Sequence, residues 1–444
     1  MKSFTARSFE TVGPELSADM RAAVADDPLA LFTDFQWYLH QGRDTVFFTA
    51  FAGRTFSKED TATLVADMVA RAPQLSHGFK GATPGRPLTA EQINAITSVE
   101  TIDDLEGYPD KWIGNSRDLF DAENLPLFRV MVANRREGAD ADGRAAVIQV
   151  RSAHCLLEGS DSALLTRSQS AGHGVLSDPN AKVAIGDKAG GMVRAGIAAF
   201  IHMFFAYALS PKDKPIHAKT LAFSRRRLRD LAGRLGVRQR SLYFALVSMA
   251  LNGEGPEKAM SNKAIRAAYT MVGGKRNEAD DDFFRVRALQ AMFPVHDDFM
   301  YYVKEVDRVV GKIEERDVSA FQMRILAMFG MHRRLNKRFP WLHGERFWRF
   351  SGATHLVLTL VPPHRLHGPM TRGMMEPIYC GAYHPATNIC TFCPGREYVT
   401  FNFTMEQRHI DNVDKISALL ERIEAMVGEG GEASAGSAEL AAAG

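Results

Sequence analysis

Apolar positions along this chain fall into short runs and one-sided stripes, broken at intervals by Gly, Pro and Asp. The stretch DTVFFTAFAG (44–53) is rich in aromatic and β-branched residues and closes on a glycine, which predicts a strand. SKEDTATLVADMVARAP (57–73) switches to helical spacing. Leu64, Met68 and Val69 share a face there, Ser57 is placed to cap the start, and Pro73 ends the run. LPLFRVMVAN (125–134) and GRAAVIQVRSA (143–153) predict two strands around the polar loop RREGADADG.

A Gly-, Pro- and Asp-rich connection, HGVLSDPNAKVAIGDKAGG, follows. After it comes the most apolar run, Ala195 to Leu209 in a helix expected from Gly191, interrupted by His202, preceded by Arg194 and followed by Lys212 and Lys214. It is shorter than the ~20 residues that span a bilayer. Two readings fit: a buried helix, or a helix lying on a membrane surface. SRRRLRDLAGRLGVRQRSLYFALVSMALNG (224–253) predicts two helices broken at Gly236. ATHLVLTLVPP, TNICTFCP and EYVTFNFTM predict three more strands, and QRHIDNVDKISALLERIEAMV a closing helix. The Gly-, Ala-, Ser- and Glu-rich tail from Gly428 predicts disorder, and no repeat of fixed period is present.

Composition narrows the class. A chain of 444 residues exceeds one small core, so two subdomains are expected. With 45% hydrophobic and 24% charged residues it reads as an ordinary soluble globular protein. A formal net charge of +2 supplies no field for nucleic acid. Four cysteines in so long a chain do not make a disulfide framework, and they fit a reducing, cytoplasmic compartment. The stretch MKSFTARSFETVGPEL lacks the apolar core of a secretory signal.

The chemistry gathers where a predicted strand ends. In IQVRSAHCLLEGSDSALL (148–165), His154 follows the apolar strand, Glu158 stands four residues on, and Gly159 permits a sharp turn. Ser160 or Asp161 can cap the next helix. A histidine at such an end can take a proton from a hydroxyl or amine, because its ordinary pKa lies near neutral pH. On spacing alone it reads equally as a core histidine bonded to a backbone carbonyl. Ser160 and Ser162 lack the G-x-S-x-G setting of a nucleophile and read as helix caps.

The ordered set of motifs resembles the wax ester synthase/diacylglycerol acyltransferase family, part of the wider group of CoA-dependent acyltransferases with condensation-type folds. The family carries His-His-x-x-x-Asp-Gly after a strand; this chain has Ala153-His154-Cys155-Leu156-Leu157-Glu158-Gly159. His154 matches the second histidine, the family's general base, and Gly159 matches the glycine. Glu158 replaces the Asp, whose family role is to hold the loop by pairing with an arginine, and Ala153 replaces the first histidine. ENLPLFRVMVA is similar to the strand leading into the motif, and LTLVPPH to a degraded Ser-Asn-Val-Pro-Gly-Pro turn, with Thr359 on the Ser. ATNICTF is similar to the family's Leu-Asn-Ile strand, with Asn388 on the Asn. The family's Asn-Asp pair is replaced by Arg240 and Ser241, which marks a divergent branch.

The resemblance implies an α/β fold of two chloramphenicol-acetyltransferase-like subdomains with a tunnel between them. It places an N-terminal subdomain at 1–188, an apolar connecting helix at 189–215, a C-terminal subdomain at 216–427 and a disordered tail at 428–444. It implies direct acyl transfer, without cofactor, from acyl-CoA or an acyl carrier protein as co-substrate to a hydroxyl-bearing, lipidic acceptor. His154 is the implied base, Glu158 its loop support, and Gly159, Thr359 and Asn388 the substrate-binding set, with Thr359 or Asn388 as the candidate oxyanion donor. Amide formation and a non-catalytic lipid-binding role are the alternatives. The protein is expected in the cytoplasm, with peripheral contact at the inner membrane surface.

Two further clusters carry residue types with a possible chemistry. Cys380, His384, Cys390 and Cys393 have the residue types of a zinc site, but the odd spacing sends Cys390 and Cys393 to opposite faces of a strand, so no metal is expected. Arg225, Arg226, Arg227, Arg229, Arg234, Arg238 and Arg240 read either as a solvated helix face or as a site for CoA phosphates or anionic headgroups.

Overall fold

The computed structural model describes residues 34–71, 75, 88–108, 110, 118–121, 125–156, 215–252, 264–272, 286–294, 298–314, 330, 333–334, 336–338, 356–361, 373–385 and 387–442. Statements below concern these residues. The apolar run at 191–209 lies outside them, as do Glu158, Gly159, Ser160 and Ser162.

The first half begins with helix α1 (Asp34–Gln41), which turns at once into strand β1 (Thr45–Ala52). Helix α2 (Lys58–Arg71) starts where the sequence places it. The Ser57 hydroxyl accepts from the Asp60 N–H at 3.0 Å, and the Asp60 carboxylate accepts from the Ser57 N–H at 2.9 Å, closing the first turn from both sides. The stripe of Leu64, Val65, Met68 and Val69 is buried against the sheet. Helix α3 (Ala90–Ile96) runs directly into strand β2 (Thr97–Ile102), and α4 (Asp118–Asp121) precedes strands β3 (Phe128–Arg135) and β4 (Ala146–Ala153).

The second half holds strand β5 (Ile216–Ser224) and helices α5 (Arg225–Leu235) and α6 (Gln239–Asn252). These helices part at Gly236, whose φ of 66° suits a residue without a side chain. Strands β6 (Ala264–Val272) and β7 (Val286–Pro294) precede helix α7 (Phe299–Glu314) and strand β8 (Leu356–Leu360). Strands β9 (Met374–Tyr383), β10 (Ile389–Pro394) and β11 (Tyr398–Glu406) lead to the short helix α8 (Gln407–Ile410) and to α9 (Lys415–Ala442). Helix α9 is drawn through to Ala442, across the Gly-, Ala-, Ser- and Glu-rich segment.

Two sheets form, ordered β2-β3-β4-β1-β9 and β5-β11-β10-β8-β6-β7. The exchange in this topology is β9: it comes from the C-terminal part of the chain and completes the N-terminal sheet by pairing antiparallel with β1. The sequence division at 188 and 216 therefore does not separate the two sheets cleanly. The pairing slips between Ala50 and Phe51, where Glu376 and Pro377 bulge out of the ladder. A proline can sit there because the bulge demands no donor. At Gly381 the chain passes under the Phe47 ring, and a Cβ would meet that ring at 2.2 Å.

β9 also joins the two sheets. The Thr400 hydroxyl donates to the Ile378 carbonyl and the Thr404 hydroxyl to the Ala382 carbonyl, each at 2.7 Å. The Glu376 carboxylate accepts from the N–H groups of Arg396 and Glu397 at 2.6 and 2.8 Å. Cys393 of β10 packs with Cys380, Phe48 and Ala50 on this seam, whereas Cys390 joins the core beneath α6, so the two cysteines do face opposite ways.

Candidate active site

The site is built by register. β1 lies between β4 and β9, antiparallel to both. Its first residue, Thr45, pairs with Ala153 at the end of β4 and with Tyr383 at the end of β9. One step further along each strand brings Asp44, His154 and His384 into one row across the sheet. The His154 N–H donates to the Asp44 carbonyl at 2.7 Å, which fixes the first neighbour. The His384 Nε2 lies 3.5 Å from Asp44 Oδ1, which fixes the second.

The electrostatics of the row follow from its enclosure. Desolvation lowers the His154 imidazole to about 4, so it is neutral at neutral pH and able to accept a proton. The residue keeps some exposed surface, and its ring has no hydrogen-bond partner among the described residues. Burial raises the Asp44 carboxyl to about 8, so it holds its proton at neutral pH. On the far side, the Thr387 hydroxyl and His384 Nδ1 are 3.0 Å apart, and either can donate according to the ring tautomer. Beneath the row, burial drives the Cys155 thiol far up its scale, so it is no nucleophile. The turn before β1 contributes Arg43, which has a positive φ of 54°, and the last turn of α1 contributes His40, lowered to about 4 by burial and then by the Arg43 charge.

Of the residues chosen from sequence, His154 stands at the end of β4 as expected. Glu158 and Gly159 fall outside the described residues. Thr359 sits on β8, partly exposed, in register with Thr391 of β10 and Thr270 of β6. Asn388 lies in the loop that follows His384. Its carbonyl accepts from the Val357 N–H at 2.8 Å, and its Oδ1 accepts from the Glu406 N–H at 3.0 Å. Both bonds tie strand ends together, a structural task for the residue matched to an oxyanion donor.

Sequence reading missed Asp44 and the role of His384. Asp44 looks like the polar start of a strand, and His384 stood only among zinc ligands. Among the described residues no group of three or more His, Cys, Asp or Glu could hold a metal ion. No helix of the described residues is long and apolar enough to cross a membrane. The arginine cluster is partly tied down. Arg225 donates to the Gly395 carbonyl at 2.6 Å, Arg227 to Glu424 at 2.7 Å, and Arg238 to Asp307 at 2.9 Å. Arg226 and Arg229 are exposed beside Asp230.

No family model and no curated protein matches the chain. Solved structures do. A wax ester synthase/diacylglycerol acyltransferase from Marinobacter aquaeolei VT8 superposes with a TM-score of 0.52 at 12% identity, over 87% of this chain and 95% of its own. The TRI3 trichothecene 15-O-acetyltransferase from Fusarium sporotrichioides gives 0.54 at 10% identity, over 88% and 94%. At such identities the likeness shows the fold: the mixed α/β, two-sheet architecture of the chloramphenicol-acetyltransferase-like group.

Proposed function

We propose that this chain, which shares the fold of a wax ester synthase and an acetyltransferase, is itself an acyltransferase. It moves a fatty acyl group from an acyl-CoA or acyl carrier protein thioester to a hydroxyl-bearing, lipidic acceptor. The carrying observation is a partly exposed His154 at the end of a central strand, kept neutral by desolvation, where its backbone is fixed and its ring has no hydrogen-bond partner among the described residues. His154 takes the acceptor's hydroxyl proton as the oxygen attacks the thioester carbonyl. When the carbon–sulfur bond breaks, sulfur keeps the electron pair and receives that proton from the imidazolium. No covalent acyl-enzyme is needed, and buried, protonated Cys155 offers none.

A positioned general base is worth ~10²–10⁴ in rate. Thiol release from octanoyl-CoA should therefore depend on added 1-hexadecanol, and His154→Ala should abolish it while the protein stays folded. Near-normal turnover by a well-folded His154→Ala protein would refute the mechanism. Release that responds to a long-chain amine and not to the alcohol would move the reading to amide formation. Binding of either without release would leave a lipid-binding protein.

A lipidic acceptor also favours peripheral membrane contact through the apolar run at 191–209, assisted by exposed Arg226 and Arg229. Flotation with anionic vesicles at low salt should carry the protein upward, and added salt should release it. Protein that stays at the bottom in both conditions refutes the contact.

A further inference from the structure

We propose that Asp44 and His384 share one proton and form a second acid–base unit beside His154, through which the charge of the base is set. This deepens the acyl-transfer reading and rests on it for its catalytic role, while the pair itself stands on geometry.

The register forces the three residues together. Neighbouring strands lie about 4.8 Å apart, so His154 and His384 are about 10 Å apart with Asp44 between them. Residues level across a ladder have Cβ atoms about 5 Å apart, so Asp44 stands level with both histidines, backbone-bonded to His154 and with its carboxyl facing the His384 ring. Asp44 Oδ1 is buried and makes no hydrogen bond, yet His384 Nε2 stands 3.5 Å away. That separation is long, as catalytic hydrogen bonds commonly are before a ligand binds. The other His384 nitrogen is held by Thr387, so the ring is oriented with Nε2 toward the carboxyl.

The other ionisable groups around the row, among the described residues, are His40 in the last turn of α1, Arg43 in the turn before β1, and His154 and Cys155 after β4. Neutral His40 and the protonated thiol carry no charge at neutral pH. Among these groups Asp44, level with His154 across the ladder, is the acid that can compensate a positive charge forming on that ring. The proton account closes. His154 takes the acceptor proton; Asp44 passes its own proton to His384 Nε2 and becomes a carboxylate beside the new imidazolium. When sulfur takes the proton from His154, His384 returns its proton to Asp44. His384 and Asp44 are positioning residues here, since neither touches the reacting atoms.

The pair is tested without relying on turnover. In full-length protein carrying ¹³C-labelled histidine, the His384 Cε1 resonance, assigned by its loss in His384→Gln, should show, besides its own step, a second one that follows the titration of the Asp44 carboxyl, which burial raises to about 8. Asp44→Asn should remove that step. Thr387→Val, which keeps the volume and frees the ring, should shift it by half a pH unit or more and serves where Asp44→Asn does not fold. One identical His384 step in wild type, Asp44→Asn and Thr387→Val overturns the proposal.

The kinetic arm uses octanoyl-CoA and 1-hexadecanol. Asp44→Asn and His384→Gln should lower kcat about tenfold or more with KM within about threefold, and change the basic limb of the pH profile. A kcat within twofold of wild type in both overturns the link to His154. Wild type that shows the coupled titration but releases no thiol refutes acyl transfer alone and leaves the pair in place.

Discussion

The two sheets bury polar groups in different ways. In the C-terminal half, one continuous apolar cluster runs from Phe223 through α6 to Ile423. Phe392 and Phe401 meet edge to face there at 4.8 Å. Its buried polar groups are largely hydroxyls and amides bonded to nearby groups: Ser248 to the Phe244 carbonyl and the Tyr302 hydroxyl, Asn402 to the Thr391 carbonyl, Asn412 to the Arg408 carbonyl. The N-terminal half splits its core into smaller clusters on the two faces of its sheet. At the end of its central strands it buries groups that titrate, with Asp44 raised and His154 and His40 lowered. A buried ionisable group costs stability unless it is paired or neutralised. Holding His40 and Asp44 in one half with the partly exposed His154 ring is what separates a working surface from a scaffold.

That contrast can be broken at several points. The largest effect is expected on chemistry: His154→Ala should lose ~10²–10⁴ of transfer rate with little change in melting temperature. Leu246→Ala, in the fully buried face of α6, should do the reverse, lowering stability by ~2–5 kcal/mol while kcat per folded molecule is kept. Chemical denaturation paired with single-turnover rates measures both, and a Leu246→Ala protein that folds normally but turns over poorly would dissolve the division. Gly381→Ala tests the seam. The new methyl must displace the Phe47 ring, at ~1–3 kcal/mol of stability by denaturant unfolding, and Phe47→Leu should recover part of that loss.

The pH dependence is smaller. Asp44 has a folded pKa of about 8, above its unfolded value, so its contribution is complete near pH 4 and declines as pH rises toward 8. Asp110, raised to about 6 by burial, declines over the lower part of that range. His154 and His40, lowered to about 4, act oppositely and lose stability as pH falls from about 6.5 to 4. These slopes offset one another below pH 6.5. Between 6.5 and 8 the Asp44 slope stands alone among these groups, giving a fall of up to ~2 kcal/mol. Thermal unfolding across that window should show the fall, and Asp44→Asn should flatten it; an equal fall in Asp44→Asn would assign it elsewhere.

Most of the scaffold was legible as local pattern. The alternating runs at 44–53 and 143–153, the Ser57 cap and the Gly236 break each report a short-range constraint, and each stands where the sequence put it. β9 was not predicted; Pro377 and Gly381 interrupt its sequence, and the bulge and the overlying Phe47 ring accommodate them only once β1 lies alongside. β2, β5, β6 and β7 were also missed. In β2 and β5, residues such as Glu100, Lys219 and Thr220 dilute the apolar signal. His154 was visible through its strand end. His384 was not, because its meaning depends on which strand lies beside β1, and no local pattern encodes that neighbour.

The crossing of β9 into the first sheet has a consequence for how the molecule is made. Asp44 and His384 come from distant parts of the chain, and nothing local holds β1 and β9 together before both exist. Pairings of such high sequence separation form late and slowly, because a long loop must close before the contact repays it. During synthesis β1 leaves the ribosome with one edge bare and waits for most of the chain to follow. A nascent or truncated product lacking β9 would hold His154 without its row and would expose the β1 edge to other strands. Assembly of the acid–base row thus doubles as a checkpoint: the proton pair exists only in chains that have finished folding.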